Sequence, residues 1–200
     1  MPTRQWNSDT GGLFYEGLFE LTSLRTFDEV TTFINQLICP NPVCVETGTA
    51  YGFPEGEPYW NTTSSIVKRI CEPKDGYLIS VDLLDRTEVI DKLFLAGNTD
   101  RNKCILKVGD SVQVLSQLDI PYIDFLCLDS GEDEELLLHE YLTIQHLLSE
   151  KHYVLVDDIH NTHSVKYKKI VPHLKNLGYT WMQVPTETGL FVSAKGYPIP

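Results

Sequence analysis

Val43-Cys44-Val45-Glu46-Thr47-Gly48-Thr49-Ala50-Tyr51-Gly52 is the stretch on which the reading of this chain turns. Its first half is small and β-branched, the composition of a short strand buried on both faces. The strand ends in an acid and breaks at once into a loop punctuated by Gly48 and Gly52. Downstream the same pattern recurs. Tyr77-Leu78-Ile79-Ser80-Val81-Asp82 is a second strand, and Cys104-Ile105-Leu106-Lys107-Val108 a third, running into Gly109-Asp110-Ser111. Ile123 to Asp129 is a fourth strand and Tyr153 to Asp158 a fifth.

Helical segments fall between these strands. Thr26-Phe27-Asp28-Glu29 has the form of a capping box, and Phe27, Val30, Phe33, Ile34, Leu37 and Ile38 then recur at helical spacing. Pro40 and Pro42 stop that helix before the opening strand. Further helices are expected over 64–71, 88–96, 134–148 and 166–177, with a short one capped by Ser111. Gly178 is placed as a glycine just beyond the last of them. The final strands, 179–184 and 189–194, are separated only by Pro185-Thr186-Glu187-Thr188, which implies an antiparallel hairpin. Alternating strands and helices argue for an α/β sandwich on a mostly parallel sheet. We expect one domain over 1–200, with 1–40 as a helical N-terminal cap and 41–200 as the core. Leu13-Phe14-Tyr15 and Phe19 are read as core cover, with a pocket wall or a dimer contact as alternatives, so a homo-oligomer stays open.

Composition narrows the function classes. The chain of 200 residues has 16 Lys and Arg against 28 Asp and Glu, a formal charge of −12. So acidic a surface repels phosphate backbones, which argues against a nucleic-acid partner. The five cysteines show no metal-finger spacing, and Cys44, Cys104 and Cys127 sit in apolar runs as small hydrophobes. Their odd count favours a reducing compartment. No run approaches the ~20 apolar residues that span a bilayer, and residues 1–6 have no signal-like apolar stretch. The expectation is a soluble cytoplasmic protein with no membrane partner.

In an open parallel sheet, ligands bind beyond the carboxyl ends of the strands. Here those ends carry Glu46, Asp82, Asp110, Asp129 and Asp157-Asp158. One or two such acids would be ordinary helix caps; the whole set points to a rim with a job. The glycine loop fits neither a dinucleotide fingerprint, since Ala50 stands between Gly48 and Gly52, nor a phosphate loop, since no lysine follows Gly52. An acidic rim poor in basic groups suits a cofactor that carries positive charge and ribose hydroxyls.

Glu46-Thr-Gly48-Thr-Ala-Tyr-Gly52 resembles the E-x-G-x-x-x-G first motif of class I S-adenosylmethionine-dependent methyltransferases, over about residues 40–195. The resemblance implies a three-layer Rossmann-like sandwich with a seven-stranded sheet. It implies that Glu46, Gly48, Thr49 and Gly52 hold S-adenosylmethionine together with Asp82, Leu83, Asp110, Ser111 and Asp129, Asp82 accepting from the ribose hydroxyls. Asp129 and Val156-Asp157-Asp158-Ile159-His160 are similar to the metal-dependent small-molecule O-methyltransferases, in the branch of sugar and macrolide enzymes and cephalosporin-hydroxylase-like proteins. That likeness implies Mg²⁺ held by Asp129, Asp157 and Asp158, activating an acceptor hydroxyl. Asp157 or Asp158 as a mere loop cap is the alternative. Related enzymes place a Lys or His three residues after the fourth-strand Asp, where this chain has Glu132. Glu132 and His160 are therefore the candidate bases, with His163 as a further one. The aromatic insert Phe53-Pro54-Glu55-Gly56-Glu57-Pro58-Tyr59-Trp60 departs from the family, as a lid over the acceptor or a surface excursion.

Overall fold

The strand beginning at Val43 occupies the middle of the molecule because every one of its residues is buried. In this computed structural model, which describes residues 4–7, 12–15, 24–49, 62–159 and 164–199, β1 (Arg4–Asn7) pairs antiparallel with β2 (Gly12–Tyr15). The N-terminal part thus contributes a strand pair as well as the expected helix. Gly52, the insert 53–60, His160 and His163 lie outside the described residues.

Helix α1 (Phe27–Leu37) starts at the capping box: Glu29 N–H donates to Thr26 Oγ1, and Thr26 N–H to the Glu29 carboxylate at 3.0 Å. Strand β3 (Val43–Thr47) follows, and α2 is a continuous helix over 62–74 whose middle, Val67–Cys71, is wound as a π-helix. Then come β4 (Tyr77–Asp82), α3 (Thr87–Gly97), β5 (Cys104–Val108), α4 (Ser111–Ser116) and β6 (Ile123–Leu128). The chain ends with α5 (Leu136–Ile144), β7 (Leu148–Val156), α6 (Tyr167–Asn176), β8 (Thr180–Val184) and β9 (Leu190–Lys195). Sequence boundaries hold to within a few residues, except that β7 begins well before Tyr153 and α5 is correspondingly shorter.

The seven-stranded sheet has the order β5-β4-β3-β6-β7-β9-β8. All neighbours from β5 to β7 are parallel, and β9 runs antiparallel to both β7 and β8. The expected α/β sandwich and terminal antiparallel hairpin are both present. Side chains alternate across the sheet as strand geometry requires. Cys44 packs with Val30, Ile34, Ile66, Ile70 and Phe94 from α1, α2 and α3, whereas Val45 packs with Leu115, Tyr141, Ile144 and Leu174 from α4, α5 and α6. Covering both faces explains the uninterrupted apolar runs. All five cysteines are free thiols. Among the described residues no helix is long and apolar enough to cross a membrane.

The chain leaves β3 to build β4 and β5 on one side, then returns through β6 on the other. That reversal puts the topological switch point between the carboxyl ends of β3 and β6. At the opposite end of the sheet, buried Asp124 ties three strands together. It accepts from Val43 N–H at 3.0 Å and from Ser149 Oγ at 2.9 Å. Asp124→Ala strands the Val43 N–H in the interior, so urea denaturation should show a loss of about 1–3 kcal/mol.

Candidate functional site

Gly48 marks the switch point. Its φ of +82° lies in the left-handed region, and a Cβ added there would sit 2.5 Å from the Asp129 carbonyl oxygen. The loop after β3 therefore crosses the end of β6 in direct backbone contact, and only glycine permits it. The ladders continue past the strand ends: Gly48 N–H donates to the Val81 carbonyl at 2.9 Å, and Asp129 N–H to the Thr47 carbonyl at 3.0 Å. Above this crossing opens a cavity of about 550 Å³, within the usual range for small-ligand sites.

On the β4–β5 side the cavity is lined by Thr49, Asp82, Leu83, Leu84, Asp110 and Ser111. Asp82 organises it. Its Oδ2 accepts from Thr49 N–H at 3.0 Å and its Oδ1 from Leu84 N–H at 2.8 Å, with Arg86 Nε at 3.5 Å. The next two residues, Leu83 and Leu84, are 71% and 55% exposed, an apolar surface beside a fixed carboxylate. Asp110, not Ser111, caps α4, its carboxylate accepting from Gln113 N–H at 2.9 Å. Ser111 instead turns its hydroxyl to Glu140.

Two buried carboxyl groups support the rim from below. Glu46 is fully buried and does not line the cavity. Its Oε2 accepts from Thr63 Oγ1 at 2.7 Å and Ser80 Oγ at 2.8 Å, while Oε1 has no hydrogen-bond partner among the described residues. Glu140, on α5, accepts from Thr47 Oγ1 at 2.8 Å and from the hydroxyls of Ser111 and Ser130. It joins the ends of β3 and β6 to the start of α4. Burial pushes its carboxyl up, and the three hydroxyls pull it back.

The opposite wall carries Asp129, Ser130, Gly131, Glu132, Asp157, Asp158, Lys166 and Thr188. The fourth- and fifth-strand acids do come together, as the sequence suggested, but they do so around Lys166. Its side chain is 2% exposed, and Nζ lies 2.6 Å from Asp129 Oδ1, 3.0 Å from Asp158 Oδ2 and 3.3 Å from the Asp129 carbonyl oxygen. Asp158 sits in the left-handed region at φ +59°, its N–H donating to Asp157 Oδ1 at 2.8 Å. Thr188 Oγ1 approaches that same oxygen at 3.4 Å. Burial alone would lower the lysine; the two carboxylates overcome it and hold the ammonium above its ordinary value. Burial works to raise Asp129 against the pull of Lys166, and lifts Asp157 to about 6.

This arrangement does not fit Mg²⁺ on Asp129, Asp157 and Asp158. The oxygens a metal would take face an ammonium, and among the described residues no three acidic, His or Cys side chains are placed to hold an ion. By composition Lys166-Tyr167-Lys168-Lys169 reads as a solvated helix face, yet Lys166 is the most buried lysine of that run. Glu132 does line the cavity, exposed to solvent. Glu140 had no signal in the sequence, since an acid in an apolar helical stripe reads as one turn of its polar side.

No protein-family model and no curated protein matches the sequence. Solved structures do match the fold. A candidate caffeoyl-CoA O-methyltransferase from Staphylococcus aureus is 15% identical with a TM-score of 0.62, over 88% of this chain and 85% of that one. An rRNA methylase from Streptococcus thermophilus is 11% identical with a TM-score of 0.59, over 87% and 98%. The Streptococcus mutans protein SMU.1697c, seen in complex with SAH, is 12% identical with a TM-score of 0.62, over 87% and 99%. At these identities the likeness establishes the fold alone, which this chain shares with solved methyltransferases.

Burial without a full set of partners pushes Glu46 up from 4.5 to about 7. The folded chain therefore holds this proton more tightly than the unfolded one. The resulting stability is present below about pH 4.5 and is lost as pH rises toward about 7. Glu46→Gln should flatten that slope. At pH 8 the variant should exceed wild type by up to about 3 kcal/mol, taking roughly 1.4 kcal/mol per unit. Urea melts across pH check this, and an unchanged slope counts against it.

Proposed function

We propose that the chain transfers a methyl group from S-adenosylmethionine to a small-molecule acceptor, with an acceptor hydroxyl as the reacting group. The observation that carries the reading is the division of one cavity at the switch point into two walls. One wall has a fixed acid, Asp82, beside exposed Leu83 and Leu84; the other has Asp129, Glu132, Asp157 and Asp158. The first suits a ribose and an adjoining flat apolar ring. The second suits a polar acceptor.

The residues present fit this cofactor. Gly48 lets the loop cross the end of β6 in backbone contact and lines the cavity, and the rim offers carboxylates to a sulfonium and a ribose. When bound, S-adenosylmethionine supplies an electrophilic methyl group on a positively charged sulfur. The chain's own contribution is placement. Asp82, held by Thr49 and Leu84, presents its remaining lone pairs in a fixed direction, and Gly48, Thr49, Asp110 and Ser111 shape the floor around it. Positioning two reactants in line supplies much of the rate in such a transfer. Glu132, exposed in the second wall, is the described residue best placed to take a proton from an acceptor.

The acidic rim and the charge of −12 favour a neutral or cationic acceptor over nucleic acid, although two structural neighbours bear the name of rRNA methylases. They also favour a second reading, in which the same carboxylates hold an amine that is itself methylated. The five free thiols suit a cytoplasmic, reducing location.

Calorimetry with S-adenosylhomocysteine tests the cofactor. Wild type should bind it, and Asp82→Asn, which keeps the volume but turns one acceptor into a donor, should weaken binding about tenfold or more. No binding at low-millimolar ligand would remove the cofactor and the function with it.

A further inference from the structure

We propose that Lys166 is the resident cation of the acid cluster at the carboxyl rim, standing where a divalent metal would otherwise sit among Asp129, Asp157 and Asp158. Three carboxylates converging at the end of a buried sheet repel one another and require a positive charge. A metal ion and an ammonium are the two available solutions, and they exclude each other because they need the same oxygens.

The geometry assigns those oxygens to the lysine. An ammonium has three N–H donors, and Nζ of Lys166 faces three acceptors: Asp129 Oδ1 at 2.6 Å, Asp158 Oδ2 at 3.0 Å and the Asp129 carbonyl at 3.3 Å. One oxygen of the remaining acid is engaged too, since Asp157 Oδ1 takes the Asp158 N–H and faces the Thr188 hydroxyl. A buried lysine without partners costs several kcal/mol, so a 2% exposed side chain with this pairing is built for the cluster rather than left there. Its backbone is secured independently. Lys166 is the N-cap of α6, whose Ile170, Val171 and Leu174 are packed in the core.

Two consequences separate the lysine from a metal. It is covalently part of the chain, so chelators cannot remove it. And its donors are spent on protein oxygens, so it organises the wall without touching the acceptor. Lys166 is therefore a positioning residue, and removal of the acceptor proton falls to another group. The second consequence rests on the methyl-transfer reading; the assignment of the cation does not.

The test is Mn²⁺ titration of the full chain, followed by electron paramagnetic resonance of the free ion. Wild type and Lys166→Arg should leave the Mn²⁺ signal undiminished up to about 1 mM, the weak end of biological divalent sites. Lys166→Ala, folded by circular dichroism, should take up one ion per chain on the order of tenfold more tightly than that limit, in competition with Mg²⁺. Uptake of one ion by wild type, lost in Asp129→Asn, overturns the proposal, and so does a folded Lys166→Ala that binds none. Should Lys166→Ala not fold, wild type and Lys166→Arg decide: exclusion by both supports the lysine, and uptake by either refutes it. Loss of S-adenosylhomocysteine binding with the Mn²⁺ pattern intact would overturn the cofactor reading and leave the lysine standing.

Discussion

Carboxyl groups gathered at the end of a sheet that is covered on both faces must each find donors or a cation before the sheet can close. This constraint governs the carboxyl rim of the molecule. A buried carboxylate without partners is unfavourable by several kcal/mol, and the rim holds Glu46, Asp82, Asp129, Glu140, Asp157 and Asp158 within a few residues of the same edge. Each is answered differently. Asp82 takes backbone N–H groups from its own and a neighbouring loop; Glu140 takes three hydroxyls; Asp129 and Asp158 share Lys166. Glu46 is fully buried with one oxygen left without a hydrogen-bond partner among the described residues, and its burial raises its proton affinity.

Answering the charges also fixes the shape. The groups that satisfy the acids come from different elements, so each pairing is a tie across the switch point. Glu140 brings α5 to the ends of β3 and β6, and Lys166 brings the start of α6 to β6 and β7. Close approach does the rest, since the Gly48 backbone meets the Asp129 carbonyl with no room for a side chain. A cavity held in this way keeps its walls in place before any ligand arrives, which is what a reaction that depends on alignment requires. The same ties engage Asp129 Oδ1 and Asp158 Oδ2 with Lys166, so a metal expected from Asp129, Asp157 and Asp158 would meet an ammonium already in place.

Much of this was legible in the chain. The capping box at Thr26, the doubly buried strand at Val43, the acids at the strand ends and the closing hairpin all rest on local rules of spacing, capping and turn length. Each such rule reads a few consecutive residues, and each held. Local reading failed where partners came from far along the chain. Ser111 looks like a helix cap beside Asp110, and the choice between them depends on Glu140, 29 residues away. Lys166 stands in a basic run that reads as a wet helix face, and its burial depends on Asp129, 37 residues earlier.

The order of elements, the parallel sheet with its reversed last strand and the acidic rim follow from local sequence, because periodicity and punctuation are properties of short stretches. The loop after β3 also departs from the phosphate-loop pattern, since no lysine follows Gly52. How the rim's charges are neutralised depends on the folded arrangement. Pairing of a buried charge is a relation between residues that the fold brings together, and no local pattern distinguishes an acid awaiting a metal from one already held by a lysine.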